Sequence, residues 1–585
     1  MFKLNTLFIV IFASLSLSLY AQPAKQISLN QVGFYTNAPK VAIIINAPDG
    51  IKFYVLSVNK KDTFFKGSLG NPVQSLYSSA ITKNANFSDF KKAGDYILYV
   101  PTVGFSYPFK IKKNVYHEVA KASIKAFYFQ RASMPLEKQY AGDWARNEGH
   151  PDTAVFIHPS AVSAKRAANT VISTPGGWYD AGDYNKYIVN SGITMGTMMS
   201  AYEDFPAYFD TLQTNIPESA DAIPDLLNEV LYNLRWMFTM QDKEDGGVYH
   251  KCTNAKFDAM IMPDAAIAKR YVVQKGTAAT LDFVAVMAQA SRIYKKFSPQ
   301  LPGLADSCLI AAKLAWKWAV KNPGVIYDQD EMNKNFSPPV VTGAYGDKNF
   351  KDEFFWAACE LLASTNNTTY LDTIQKRSVN EMTLPSWSNV DLPGCYTLLR
   401  LQKLLPATSN GTIDLITKKI INLADNMIAN GGNKAFATIF GQNKNDFIWG
   451  SSAVAMNESI LLINAYLFTD DKKYLSPALG NIDYLLGRNA TGYSFVTGFG
   501  TRPAMHPHHR PSVADNIVAP VPGLLVGGPN SGMQDKCFYA YTETETAYTD
   551  DDCAYASNEI AINWNAPLVY VANAIEALQS QFLNK

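Results

Sequence analysis

Hydrophobic positions fall into two regimes along the 585 residues of the chain. Between residues 27 and 111 they come as short runs: VAIIIN (41–46), KFYVLS (52–57), GDYILYV (94–100) and SYPFKI (106–111). Turn formers such as Asn46-Ala47-Pro48-Asp49-Gly50 separate them. Runs rich in β-branched and aromatic residues with that punctuation predict strands. A module of about 90 residues with this rhythm predicts an all-β sandwich of immunoglobulin type, placed at 24–112.

From about residue 115 the period lengthens. Ile223, Leu227, Val230, Leu231, Leu234 and Phe238 recur at the three-to-four spacing of one helix face. Similar patterns around 277–296, 304–320, 352–364, 394–405, 412–429, 451–468, 471–487 and 559–581 predict an all-α domain over 115–582. Gly, Pro, Asn and Asp break the chain between them, and the long loops so formed carry aromatics and carboxylates, where chemistry usually sits.

The first residues change the picture of location. Lys3, the apolar run Leu7 to Leu19, and Leu19-Tyr20-Ala21 before Gln22 read as a secretory signal peptide over 1–21, so a secreted or periplasmic protein is expected. The run is short for a bilayer span and no later stretch resembles one. With 52 basic and 51 acidic residues the net charge is +1, which disfavours nucleic acid or an anionic membrane as partner. A neutral substrate suits the 12% aromatic content, since sugars stack their C–H faces on rings. Cys252, Cys308, Cys359, Cys395, Cys537 and Cys553 permit disulfides, with pairing and free thiols both open, and no C-x-x-C occurs. The oligomeric state is left open.

Glycoside hydrolysis needs one protonated carboxyl and one ionised carboxylate. Carboxylates set among aromatics and glycines are therefore the informative ones. In GGWYDAGDYNKYIVNSG (176–192), Asp180 and Asp183 are three apart and could face one water from a tight turn or helix start. Trp178, Tyr179, Tyr184 and Tyr187 beside them could form a sugar platform; the bland alternative is an Asp N-cap with a second acid in the first turn. In YTDDDCAYASNEIAINWNAPLVY (548–570), Glu559 sits between Tyr555 and Trp564 before an apolar run. An apolar wall there would raise its pKa as a general acid requires, whereas the alternative is a first-turn Glu favoured by the helix dipole. In SFVTGFGTRPAMHPHHRPS (494–512), His506, His508 and His509 lie beside Arg510. No nearby Cys or carboxylate completes a metal set, so hydrogen bonding to sugar hydroxyls, with Arg510 bracing a carboxylate, is the preferred reading.

Together these clusters resemble glycoside hydrolase family 9, the inverting cellulases, over nearly the whole chain. The DAGD block is similar to the family's base motif, which implies that Asp180 orients the water and Asp183 is the base. Ser494 to Arg510 resembles its histidine signature, matching at His508 and Arg510. Tyr548 to Ala566 resembles its acidic signature at Tyr548, Asp550, Tyr555, Glu559, Asn565 and Ala566, which implies Glu559 as acid and Asp550 as supporting carboxylate. LNQVGFYTNAPKVAII resembles the start of an immunoglobulin-like module preceding the catalytic domain. The resemblance implies an (α/α)6 barrel. Members of this branch often carry a structural zinc; here Ala132 stands where a Cys is expected and only His150 and Asp152 remain, so zinc is not expected. Structural calcium is another family habit, for which Asp347, Asp352 and Glu353 are candidates. The chemistry itself requires no cofactor and no metal.

The reading that follows is an inverting hydrolase of a β-1,4-glucan, cellulose or a related chain, acting within the chain. Trp178, Trp449, Tyr555 and Trp564 are its candidate platform residues, with Arg510 also on the substrate side. Inversion calls for carboxyls roughly 6.5–9.5 Å apart, leaving room for the water. The alternatives are exo-action or an oligosaccharide, xyloglucan, mixed-linkage or glucosamine-containing substrate, a non-catalytic glycan-binding protein, and a metal-dependent hydrolase.

Overall fold

The computed structural model describes residues 24–377 and 382–582. The expected signal peptide at 1–21 lies outside the described residues. The N-terminal unit consists of two sheets. One has the order β1 (Ile27–Ser28), β3 (Val41–Ile45), β7 (Ile81–Asn86), β6 (Val73–Gln74). The other runs β2 (Gly33–Phe34), β10 (Phe109–Ile111), β8 (Gly94–Val100), β4 (Lys52–Ser57), β5 (Thr63–Ser68), with β9 (Gly104–Phe105) paired to β8. Alternation does the sorting. Phe53 and Val55 of β4 and Leu98 and Val100 of β8 enter a core with Phe34, Phe87 and Phe109, while Tyr54 and Tyr99 pair across the outer face.

The remainder is helical. Helices α2 (Ile188–Asp204), α4 (Thr277–Tyr294), α6 (Lys351–Thr365), α8 (Asp391–Arg400), α10 (Ser451–Thr469) and α12 (Ile562–Ala577) touch in a closed cycle, with α12 returning to α2. Each carries a partner on its outside: α3 (Asp225–Met240) on α2, α5 (Leu304–Lys321) on α4, α7 (Leu371–Arg377) on α6, α9 (Asn410–Asn430) on α8, α11 (Leu475–Leu485) on α10 and α1 (His117–Phe129) on α12. Burial separates the two rings. In α9 only Ile413, Ile416, Ile420, Ala424 and Met427 are buried, one stripe of an amphipathic helix. In α4 every residue but Arg292 is buried, so no single apolar stripe marks it, and polar Thr280, Asp282 and Gln289 are buried with the rest.

Two features depart from the sequence expectation. Glu559 is not in a helix: the chain is extended there, at φ −71° and ψ 157°, and α12 starts three residues later at Ile562. A small sheet also stands inside the helical domain, in the order β12 (Val171–Ile172), β11 (Val155–Ile157), β15 (Arg270–Val272), β14 (Lys251–Asn254), β13 (Lys186–Tyr187). Its last strand feeds directly into α2 and so fixes the exit of the turn that carries Asp180 and Asp183.

The two units are bonded to each other. Asn30 donates to Asp483 and to Tyr116, and Ser75 and Ser78 donate to Glu545. Cys537 and Cys553 form a disulfide, and Cys252, Cys308, Cys359 and Cys395 are buried thiols. No helix among the described residues is long and apolar enough to cross a membrane.

Candidate active site

Three distant segments meet at one end of the helical ring. The turn at 180–183 is threaded by the histidine loop and by the segment bearing Glu559. Ala181 bridges to Ala561, His508 bridges to Glu559, and Ile562 N donates to Asp180 O at 2.8 Å. Gly182 is where they press closest: a Cβ there would lie 2.1 Å from the carbonyl oxygen of His508, so no side chain fits. Gly177, at φ +78°, makes the preceding turn against Trp236.

Asp180, Asp183 and Glu559 all line one groove of about 630 Å³. Asp183 Oδ2 accepts from Asn185 Nδ2 at 2.5 Å and from the Tyr187 phenol at 3.2 Å. Asp180 accepts from Asn190 Nδ2 at 2.6 Å on Oδ1 and from the Tyr345 phenol at 2.7 Å on Oδ2. Burial and the neighbouring Asp183 raise the Asp180 carboxyl, with the Asn190 and Tyr345 donors and Lys251 opposing. Glu559, half-buried on the wall, is pushed well above the ordinary carboxyl range. Its causes are burial, then the charges of Asp183 and Asp180, with Arg510 opposing. The site therefore sets Glu559, whose charged form burial and the aspartates disfavour, in the same groove as Asp183, which is supplied with hydrogen-bond donors.

The supporting residues act through the backbone. Asp550 accepts from the backbone N–H of Met505 and His506 at 2.9 Å each and from Asn558 Nδ2 at 3.2 Å, tying the histidine loop to the residue before Glu559. His508 Nδ1 bonds the Asp552 carbonyl at 2.6 Å, and burial lowers its pKa. Asp550 and His508 thus brace the segment that carries Glu559 and stand behind the groove lining. Arg510 is buried, and donates to the Gly182 carbonyl at 2.7 Å and to the Asp258 carbonyl at 2.9 Å. Through Nε and Nη1 its guanidinium ties the 180–183 turn to the segment at Asp258.

The aromatics divide sharply. Trp449 and Trp564 line the groove, Trp449 being 41% exposed and tilted against Tyr555 at 5.4 Å between ring centroids. Tyr555 stands behind Trp449 on the rim. Trp178 is a correction. It has no exposed surface, packs on Phe127 at 4.7 Å and directs its indole N–H to Glu229, so no sugar can reach it. Tyr179 and Tyr184 are likewise buried, and of that cluster's tyrosines only Tyr187 reaches the groove. Sequence reasoning missed Tyr345, Trp387 and Phe257 on the wall, and Asn185 and Asn190 behind the aspartates. Asn185 and Asn190 lie within the 176–192 block itself but drew no notice beside its acids and rings, while Tyr345, Trp387 and Phe257 stand outside the three motifs.

Two charged clusters lie near the site. At the position where the family's zinc was considered, Ala132 packs among Tyr179, Tyr184 and Ala266. Asp152 there pairs with Lys186 at 2.7 Å and Arg270 at 2.9 Å, and His150 bonds the Tyr179 hydroxyl. Beyond Tyr345, the buried carboxylates of Asp282, Asp347, Glu353 and Asp391 hold oxygens without a hydrogen-bond partner. Burial raises all of Asp282, Asp347, Asp352 and Glu353, and repulsion from neighbouring carboxylates adds to it at Asp282, Asp352 and Glu353.

Comparison with known proteins shows the family. The profile described as glycosyl hydrolase family 9 matches residues 116–572, and that of a cellulase N-terminal ig-like domain matches residues 22–104. The chain is 44% identical over 557 residues to the xyloglucan-specific endo-beta-1,4-glucanase BoGH9A of Bacteroides ovatus, covering 95% of this chain and 94% of that one. It is 32% identical to Endoglucanase D of Acetivibrio thermocellus, covering 93% and 82%. Among solved structures, the Bacteroides ovatus GH9 structure superposes with a TM-score of 0.90 at 42% identity, covering 95% of this chain and all of that one.

Proposed function

Since the chain belongs to glycosyl hydrolase family 9 and hydrolyses β-1,4-glucosidic bonds, we propose that Asp183 and Glu559 are its general base and general acid in an inverting cleavage. The observation that carries this reading is the shared groove. Two carboxyls from stretches of chain far apart face the same space, one with its charged form disfavoured by burial and by the neighbouring aspartates, the other furnished with donors. Glu559 gives its proton to the glycosidic oxygen as the C–O bond breaks. A water on the opposite face of the sugar attacks the anomeric carbon, and Asp183 takes its proton. Asp180, fixed by Asn190 and Tyr345, orients that water. Trp449, Trp564, Trp387 and Phe257 provide apolar surfaces for the sugar faces.

Xyloglucan is the proposed substrate, with attack inside the chain. The reading is supported by the 44% identity to a relative named for that activity and by the open, aromatic rim where Phe257, Ile448 and Trp449 are 48%, 48% and 41% exposed. Such a rim accepts a chain bearing branches. The helices are proposed to form an (α/α)6 barrel, each inner helix with one outer partner, beside the immunoglobulin-like module. The signal-peptide pattern expected at 1–21 supports export to the periplasm or medium as a proposal.

No cofactor enters the proposed chemistry. We place a candidate calcium ion among Asp282, Asp347 and Glu353, whose buried, unpartnered oxygens are the hard donors it prefers, with Asp352 beside them accepting from Val390 N. Bound there, it supplies charge compensation that holds the segment following Tyr345. Zinc does not fit beside Asp152, because Lys186 and Arg270 already neutralise that carboxylate and would repel a second cation.

The test is a panel of xyloglucan, carboxymethyl-cellulose and mixed-linkage glucan, following viscosity, reducing ends and the anomer first released. A rapid viscosity loss on xyloglucan with the α-anomer formed is expected. β-anomer product, or stepwise release of one small sugar, contradicts the reading.

A further inference from the structure

The groove's catalytic aspartates are held by a segment that is itself held from behind. Tyr345 has φ +47°, in the left-handed region that a bulky side chain rarely adopts. Such a conformation persists only where the surroundings over-determine it. Here each residue before it is tethered. Gln329 Nε2 donates to Thr342 O at 2.8 Å, Gly343 N donates to the Tyr187 hydroxyl at 3.0 Å, and His250 Nε2 bonds Ala344 O at 2.7 Å. Lys251 grips two of them at once: its ammonium donates to Gly343 O at 2.6 Å and Thr342 Oγ1 at 3.0 Å, with Gln329 Oε1 at 2.7 Å completing its shell.

Lys251 has no exposed surface and lies on β14, outside the groove lining. Its three partners are neutral, so the compensating negative charge comes from farther off, from Asp183 and Asp180. A buried cation without a contact anion is costly unless a function retains it. The segment it grips delivers Tyr345 to Asp180 and fixes the Tyr187 hydroxyl that donates to Asp183.

We propose that Lys251 is a positioning residue of the reaction, clamping residues 342–345 against the base turn and supplying the positive charge that lets Asp180 and Asp183 stand together. The inference rests on Asp183 being the base. Other groups facing the pair are accounted for: Glu559 and Asp258 add negative charge, Arg510 adds positive charge, and His508, Tyr187 and Tyr345 are neutral or donate. Burial pushes the Lys251 ammonium down to about 7 while the two aspartates pull it up, so the cation and the aspartate pair depend on each other.

The test compares Lys251→Met, Lys251→Arg, Gln329→Leu and Asp183→Ala in the full chain on a soluble β-glucan, recording kcat, KM, thermal unfolding and pH profiles. Lys251→Met is expected to lower kcat by about 100-fold with little change in KM, as misplaced catalytic groups do. Losing a nearby cation disfavours ionised carboxylates, so the acid limb of its kcat/KM profile should move up by about one unit. Lys251→Arg should keep that limb in place and recover part of kcat. Gln329→Leu, which keeps the charge and removes a half-buried anchor, should lower kcat by about 5- to 20-fold without moving the limb, and it decides the clamp if Lys251→Met does not fold. Wild-type kcat in Gln329→Leu, or equal losses in the Met and Arg variants with no change of profile, overturns the inference. An active Asp183→Ala variant would instead overturn the base assignment; an inactive one beside a wild-type Lys251→Met overturns only the role of Lys251.

Discussion

The phenol of Tyr345 donates to Asp180 Oδ2 at 2.7 Å, reaching it from a left-handed backbone. Removing that hydroxyl removes one of the two donors that hold Asp180 beside the base. Tyr345→Phe is expected to lower kcat by about 10- to 100-fold while KM stays close to wild type, since the bond orients a catalytic group and not the sugar. Steady-state kinetics on a soluble glucan measure this. A large KM change with intact kcat would move Tyr345 to the substrate side.

The two fates of tryptophan give a paired prediction. Trp564→Ala opens the groove wall and should raise KM several-fold with little effect on thermal unfolding. Trp178→Ala deletes a fully buried ring and should cost about 3–5 kcal/mol of stability, with any loss of activity following loss of fold. Denaturant melts beside kinetics distinguish them.

Glu559 carries a pH prediction. Its folded-state pKa is raised by burial and by Asp183 and Asp180, and it must be protonated to act. Activity should therefore fall as pH rises through that raised value, forming the alkaline limb of the profile. The same shift costs stability at pH above the ordinary carboxyl range, because the unfolded chain ionises freely where the folded one resists. Glu559→Gln should then be inactive on polymer yet at least as stable as wild type at neutral pH. A markedly less stable variant would contradict the desolvated acid.

The carboxylates of Asp282, Asp347, Asp352 and Glu353 give a ligand prediction. Chelation should lower the melting temperature and added calcium should restore it, with the gain growing with the logarithm of calcium concentration. Glu353→Gln should blunt that response. A melting temperature indifferent to chelator and calcium would remove the ion from the account.

The disulfide Cys537–Cys553 spans 16 residues and closes a loop whose Glu545 is gripped by Ser75, Ser78 and Asn433. Replacing both cysteines by serine should cost about 3 kcal/mol, the value for a loop of this size. Thermal unfolding with and without reductant reads the effect.

How much of this was legible beforehand depended on how local the signal was. The strands of the N-terminal sandwich were readable because alternation such as that of Tyr96, Leu98 and Val100 is written within one segment. Helices of the outer ring announced themselves by a single stripe, as α9 does, while α4, buried nearly all round, shows no such stripe. The small sheet escaped notice because its strands are two to four residues long and pair across distant positions, Lys186 with Cys252 and Cys252 with Val272. The three motifs that build the site were each visible, and the structure brings them together. The helix expected to start at Glu559 begins at Ile562, since the acid needs an extended strand to lie beside His508. Trp178 was misplaced because a tryptophan beside an acidic turn looks the same in sequence whether it faces sugar or core. Tyr345 and Lys251 could not be read at all, for their meaning comes only from the fold that brings them to Asp180.

The central claim, one acid and one base with separate duties, is tested most directly by changing the leaving group. Kinetics of Glu559→Gln and Asp183→Ala should be compared on xyloglucan and on an aryl β-cellotrioside whose phenol leaves without protonation. Glu559→Gln is expected to lose at least about 1000-fold on the polymer but retain most of its rate on the aryl substrate, whereas Asp183→Ala should lose both. An Asp183→Ala variant rescued by the better leaving group, or a Glu559→Gln variant equally impaired on both, would contradict the assignment.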